Sequence, residues 1–266
     1  MALSSDTPAA EAPAHGSTVD AAEVARFAAL AAEWWDPDGR FRPLHRFNPE
    51  RVRYIRDHAV ARFQRDAQAR FERDATATTT PLAGLRVLDI GTGGGLVAEP
   101  MARLGATVTG IDPAEKNIGT ARAHADQMGL AIDYRVTTAE DLAATGAQFD
   151  IVLAMEVVEH VADTRAFFDA IGALTAPGGM VVAATLNRTL RAYALAIVGA
   201  EYVMRWLPVG THDWHKFLTP DELAALMAGG GLIARETMGL VYNPITGRWR
   251  LGRDTGVNYL IYAEKD

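Results

Sequence analysis

The sequence predicts an α/β fold: a doubly wound, mostly parallel sheet with an antiparallel last strand, preceded by N-terminal helices. Three observations carry that expectation. From Arg86 onward, short apolar runs alternate with helical patterns at the pitch of right-handed βαβ units. A glycine cluster, Gly91 with Gly93, Gly94 and Gly95, separates the first run from the helix after it. The last two apolar runs, "LIARETM" and "VNYLIYAE", are spaced to pair only as an antiparallel hairpin.

Taken in order, residues 1–20 read as a flexible tail, lacking the basic start and apolar centre of a signal peptide. Residues 21–266 read as a single domain whose N-terminal helices occupy 21–74. Val24, Phe27, Ala31 and Trp34 recur at helical spacing after a cap at Asp20, and the pattern stops near Pro37. Asn48 and Pro49 then open a longer helix with Val52, Ile55, Ala59, Phe63, Ala67 and Phe71 on one face. "ATATTTPLAG" is a linker. "RVLDI" is the first strand, with a helix over 96–104 beyond the glycine loop. "TVTGI" is the second, followed by a helix over 114–128; "IDYRV" and "FDIVLAM" are the third and fourth. A helix over 163–174, a turn at "APGG" and the strand "MVVAATL" complete the parallel part. A helical insert over 187–216 precedes the final strands.

Composition narrows the classes of function. Hydrophobic residues are 49% of the 266, enough for a substantial core. The absence of cysteine excludes disulfides, thiolate metal sites and cysteine nucleophiles, and suits a reducing cytoplasm. A net charge of −7 argues against a nucleic-acid partner. The charge is uneven: from Arg40 to Arg73 ten arginines stand against Glu50, Asp57, Asp66 and Glu72, a local balance of +6. That stretch reads as a solvated helix face or as a surface for an anionic ligand or membrane. No apolar run approaches the ~18 residues of a spanning helix.

The glycine loop selects a ligand class. Glycines between a strand and a helix let backbone approach a ligand beside unpaired amides. A dinucleotide fingerprint would need glycine at position 96, which is Leu96. The order is instead Asp89, a spacer, then Gly-x-Gly-x-Gly. A carboxylate so close would repel a pyrophosphate but tolerate an ammonium or sulfonium group. Asp112 ends the second strand, where it can accept both hydroxyls of a ribose, and Glu140 and Asp141 follow the third strand at the same sheet edge. With five parallel strands in this order, the set resembles the class I S-adenosylmethionine-dependent methyltransferases, which have a Rossmann-like fold.

Segments outside the loop sharpen the resemblance. "WWDPDGRFRPLHRFNPERVRYI", "GAEYVMRWLPVGTHDWHKFLTP", "LVYNPITGRWRLG" and "VNYLIYA" are similar to segments of the ubiquinone-biosynthesis O-methyltransferase family, over nearly the whole chain from Val24. The resemblance implies methyl transfer from S-adenosylmethionine to ring hydroxyls of polyprenylated phenol and demethylubiquinol intermediates. It implies cofactor contacts at Arg51, Gly91, Asp112 and Met155, beside Asp89, Gly93 and Glu140 from the loop and strand ends. It also implies other proteins of ubiquinone synthesis as partners. Thr92 departs from the cysteine usual in the family. Two alternatives remain, a methyltransferase of a soluble small molecule and a non-catalytic lipid-binding subunit. The intact Asp89, Gly91, Gly93 and Asp112 argue against the second.

A phenol with pKa near ~10 must lose its proton to attack at neutral pH. "MEVVEHV", after the fourth strand, offers three readings. Glu156, Glu159 and His160 share a face if a helix begins there, and two carboxylates with an imidazole suit Mg²⁺, Mn²⁺ or Zn²⁺. Eukaryotic relatives are thought to bind a divalent ion through a triad that this motif matches. His160 can otherwise act as general base without metal, or the motif can merely order its loop. Glu156 therefore counts as a catalytic as well as a metal-site residue. His212 and His215 in "THDWHKF" are competing bases. In the insert, Leu190, Tyr193, Ala194, Ile197, Val198, Tyr202 and Trp206 form an apolar stripe flanked by Arg188, Arg191 and Arg205. The stripe is either buried on the core or lies in a membrane interface, doubling as a lid. A polyprenyl substrate favours the second, hence a cytoplasmic protein held peripherally at the inner membrane.

Overall fold

A computed structural model of the chain describes residues 18–68, 79–195, 213–243 and 245–266. Helix α1 spans Ala21–Ala29, and the Asp20 carboxylate caps it by accepting from the amides of Ala22 and Glu23. The pattern expected to run on toward Pro37 breaks at Ala29, and a 3-10 turn, Ala31–Glu33, leads into Trp34. Helix α2 spans Arg42–Gln68, starting a turn and a half before the expected Asn48–Pro49. Pro43 sits in its first turn, where a missing N–H costs nothing, and Pro49 lies inside. Burial of Phe47, Tyr54, Ile55 and Ala59 in the core offsets the hydrogen bond lost at Pro49.

The strands and helices then alternate: β1 Arg86–Ile90, α3 Ala98–Arg103, β2 Thr107–Asp112, α4 Glu115–Gln127, β3 Asp133–Val136, α5 Ala139–Ala144, β4 Phe149–Met155, α6 Thr164–Leu174 and β5 Thr175–Leu186. The short α7, Leu190–Ala192, is followed by α8 Pro220–Gly229, β6 Ile233–Asn243, β7 Arg248–Gly252 and β8 Asn258–Glu264. The sheet order is β3-β2-β1-β4-β5-β8-β6-β7, with β1 to β5 parallel and β8 antiparallel to both β5 and β6. The expected antiparallel pairing of the last two apolar runs therefore holds. Between them lies β7, "RWRLG", which sequence periodicity did not mark, and the "APGG" expected as a turn belongs to β5, where a register shift absorbs it.

Alternation along the central strands fills both layers. Ile151, Leu153 and Met155 of β4 face the layer containing α2, α3 and α4, while Val152 and Ala154 face the one containing α5, α6 and α8. Strand order reverses between β1 and β4, and in such sheets ligands bind beyond the carboxyl ends at the reversal. The other side of that edge has a raised wall. Pairing of β6 with β8 ends at Gly239, but pairing with β7 continues to Asn243, so the β6–β7 hairpin stands beyond the sheet.

Candidate active site

A cavity of about 640 Å³ runs along this edge, a size ordinary for small-molecule sites. At one end β1 delivers Asp89, which is 2% exposed and accepts a 2.7 Å hydrogen bond from Thr92 Oγ1. Thr92 thus serves where the family usually has cysteine. Burial raises the Asp89 pKa to about 7 against the hydrogen bonds from Thr92 and the Ala98 amide; the charge of Asp112 adds to the rise and that of Arg51 opposes it. Gly91 follows at φ 66°, and a Cβ there would collide with Val157.

Asp112, at the end of β2, accepts from the amides of Gly93 (3.1 Å) and Ala114 (2.8 Å) and from Asn117 Nδ2 (3.2 Å). Burial raises its pKa while these three hydrogen bonds pull it down. Asn117 Oδ1 accepts from Trp34 Nε1 at 3.0 Å, and Trp34 stacks on Phe41 with centroids 3.8 Å apart. The indole lies where a Cβ on Gly93 or Gly94 would be, so Gly93, expected against the cofactor, does not line the cavity. Its missing side chain seats Trp34 and its amide fixes Asp112. Glu140 does line this end and accepts from Thr18 Oγ1 at 2.7 Å.

In the middle, α2 presents Arg51, 3% exposed, ion-paired with Glu156 and with its guanidinium 4.1 Å from the centre of the Phe47 ring. Burial lowers the Arg51 pKa to about 9, with Glu159 and Asp89 opposing. Its Nε has no hydrogen-bond partner among the described residues. Met155 closes β4 on the cavity wall. Glu156 follows at φ 55°, an unfavourable conformation for a residue with a side chain. The Arg51 ion pair and a 2.9 Å bond from its amide to the Ala184 carbonyl hold it there.

A 3-10 turn, Val158–His160, comes next rather than an α-helix. Glu159 is buried, with Oε2 accepting from Thr185 Oγ1 at 2.8 Å and Oε1 lacking a partner among the described residues. His160 Nδ1 lies 3.0 Å from Glu23 Oε2, and its ring meets the edge of Phe27 at 5.0 Å. Burial alone would raise the Glu23 pKa, but the hydrogen bond and charge of His160, with Arg26 and Lys216, hold it below the usual value. The helical face expected to unite Glu156, Glu159 and His160 is therefore absent. The left-handed residue and the tighter turn send the three to Arg51, Thr185 and Glu23, and no three acidic or histidine side chains among the described residues are arranged to hold a metal ion. In this arrangement they do not fit a divalent cation. His215 is exposed and away from the cavity. His212 and most of the insert, 196–212, lie outside the described residues.

Sequence reasoning missed Glu23, Trp34 and Asn117 as site residues. Glu23 sits one helical turn before Phe27 behind the Asp20 cap, but nothing local marks it as the partner of a histidine 137 positions on.

Sheet order, glycine loop and buried acids at two strand ends define a class I, Rossmann-like methyltransferase. Residues 45–236 match the methyltransferase domain family. The fold is similar, at TM-score 0.58, to magnesium protoporphyrin IX methyltransferase from Synechocystis PCC 6803 with bound SAH, at 16% identity over 92% of this chain and 99% of that one. It is equally similar, at TM-score 0.58 and 18% identity, to a possible histamine N-methyltransferase from Thermotoga maritima, over 92% and 100% of the two chains. The sequence is 55% identical to the ubiquinone biosynthesis O-methyltransferase of Methylobacterium sp. (strain 4-46), over 94% of this chain and 97% of that protein. Identity is 56% to the protein of the same name from Caulobacter sp. (strain K31), over 94% and 96%. The chain belongs to the ubiquinone biosynthesis O-methyltransferase family.

Proposed function

We propose that the protein methylates a ring hydroxyl of prenylated phenol or demethylubiquinol intermediates, with S-adenosylmethionine as donor. The observation that carries this is one continuous cavity joining the Asp89–Asp112 end to the Glu23–His160 pair, in a chain of this family. The residues fit the donor. Arg51, buried and with an Nε that meets no partner among the described residues, suits a carboxylate. Asp89 suits an ammonium or sulfonium group, and Asp112 retains acceptor capacity for ribose hydroxyls. Gly91 admits close backbone approach, while Met155 and Glu140 complete the walls. Gly93 acts through Asp112, and Glu156 acts by holding Arg51. S-adenosylmethionine, when bound, supplies an electrophilic methyl carbon on sulfur. The chain then aligns the acceptor oxygen, excludes water and removes the hydroxyl proton. His160 is the base, and Glu23 orients its ring through Nδ1.

Packing of Leu30, Ala31, Trp34 and Phe41 with Leu96 supports reading 21–266 as one domain. No helix among the described residues is long and apolar enough to cross a membrane. Leu190, Tyr193 and Leu195 are exposed around α7, and Leu195 reaches the cavity, which supports peripheral membrane contact at its mouth.

The test is transfer of labelled methyl from S-adenosylmethionine to a short-prenyl demethylubiquinol by the purified protein. Product is expected; cofactor binding without product would overturn the proposal. Glu23→Gln should lower kcat by roughly 10- to 100-fold and leave the cofactor Kd unchanged. An unaltered kcat would show that the charge of Glu23 does not assist His160.

A further inference from the structure

The cofactor end and the His160 end account for only part of the cavity. A third arm is walled by hydrocarbon. It starts at Phe47, under the Arg51 guanidinium, and continues to Trp249, whose ring meets Phe47 edge-on with centroids 5.1 Å apart. Tyr242 lies 5.1 Å beyond, paired with Trp249 across the β6–β7 hairpin. Leu44 and Leu240 complete the walls. Pro43, Tyr242 and Trp249 also line a shallow outer cleft together with Arg42 and Arg46, on the surface between α2 and the hairpin. Beside Leu240, where the Asp254 carbonyl packs on Gly239, Arg191 and Asp254 form an ion pair at 2.7 Å that borders the arm.

We propose that this arm is the subsite for the prenyl tail of the acceptor, holding its first isoprene units while the ring lies beside His160. The inference rests on the reading of the acceptor as a prenylated ring. A tail attached to a ring in an enclosed cavity must leave by some route, and this one is lined by the rings and branched side chains that pack isoprenoid methyl groups. Each methylene buried there adds binding that a tail-less ring cannot recover. The hairpin explains itself in the same terms, since its projection beyond the sheet edge is what forms the outer wall.

The test compares kcat/KM for two demethylquinols, one with two isoprene units and one with a methyl group in their place. Wild-type protein should prefer the prenylated acceptor by about tenfold or more. Leu44→Trp, which fills the arm, should cut kcat/KM about tenfold on that acceptor and stay within about twofold on the tail-less one, with unchanged cofactor Kd. Should Leu44→Trp fail to fold, Tyr242→Asp, which sets a charge in the arm, carries the same expectation. Equal wild-type activity on both acceptors, or equal slowing of both by the variant, would overturn the subsite and leave the proposed function standing. Methylation of neither acceptor by protein that binds the cofactor would overturn both.

Discussion

Asp89 concentrates the electrostatics of the site in one carboxylate. Its folded pKa, raised to about 7 by burial, lies above the ordinary carboxylate value, so the folded chain binds this proton more tightly than the unfolded chain. The stability it contributes is present below the unfolded pKa and is lost as pH rises to about 7. Asp89→Asn should therefore raise the melting temperature of the ligand-free protein at pH 8 and give no gain at pH 4. Cofactor binding runs the other way, because the ionised carboxylate attracts a cationic ligand. The ratio of wild-type to variant affinity should rise with pH and flatten above about 7, and the ratio cancels the ligand's own ionisation. A pH-independent ratio, by calorimetric titration, would show that Asp89 does not face the ligand's charge. Asp89 and Asp112 were legible because a strand end and a glycine loop are local signals. The Arg51–Glu156 and Glu23–His160 pairs were not, because each joins residues more than a hundred positions apart.

Among the elements, the turn after α1 ties the N-terminal region to the cofactor end. Trp34 covers Gly93 and Gly94, stacks on Phe41 and reaches Asp112 through Asn117; Trp35 Nε1 donates to the Gly94 carbonyl at 2.8 Å. Trp34→Ala removes a buried indole and its hydrogen bond, which should destabilise the fold by about 3–5 kcal/mol. Asn117, losing its anchor, should also release Asp112 and weaken cofactor binding; Trp34→Phe should restore stability in part but not the Asn117 contact. Chemical denaturation and cofactor titration of both variants separate these effects. The helix α2 start was misread because Pro49 and Asn48 look like an opening, whereas tertiary burial of Phe47 keeps a proline inside the helix. The six-residue α5 and five-residue β7 were missed because each is too short to establish a period. Arg248, Trp249, Arg250 and Leu251 alternate polar with apolar for only four residues, and the hairpin with β6 makes the segment a strand.

For the whole molecule, the question is which force would carry the proposed membrane contact of an acidic protein. About half of the +6 balance read between Arg40 and Arg73 is answered in three dimensions by acids from outside that stretch: Arg40 pairs with Glu33, Arg51 with Glu156 and Arg62 with Glu264, in addition to the local Arg53–Glu50 and Arg56–Asp57 pairs. The arginines beside the exposed apolar residues are paired too, Arg188 with Glu222 and Arg191 with Asp254. With the arginines beside α7 paired and a net charge of −7, attraction of that face to anionic lipid has little to draw on. Leu190 at 81% exposed and Tyr193 at 46% leave the hydrophobic contribution dominant. Vesicle co-flotation should therefore proceed on zwitterionic lipid and change less than about threefold between roughly 50 and 500 mM salt, where an electrostatic contact would weaken steeply. Replacing both Leu190 and Tyr193 by Glu should abolish flotation and leave activity on a tail-less, soluble acceptor intact, because neither side chain lines the cavity. Strong salt dependence with an anionic-lipid requirement would instead assign the contact to arginines whose ion pairs open at the membrane. Undiminished flotation of the double variant would place it on another face.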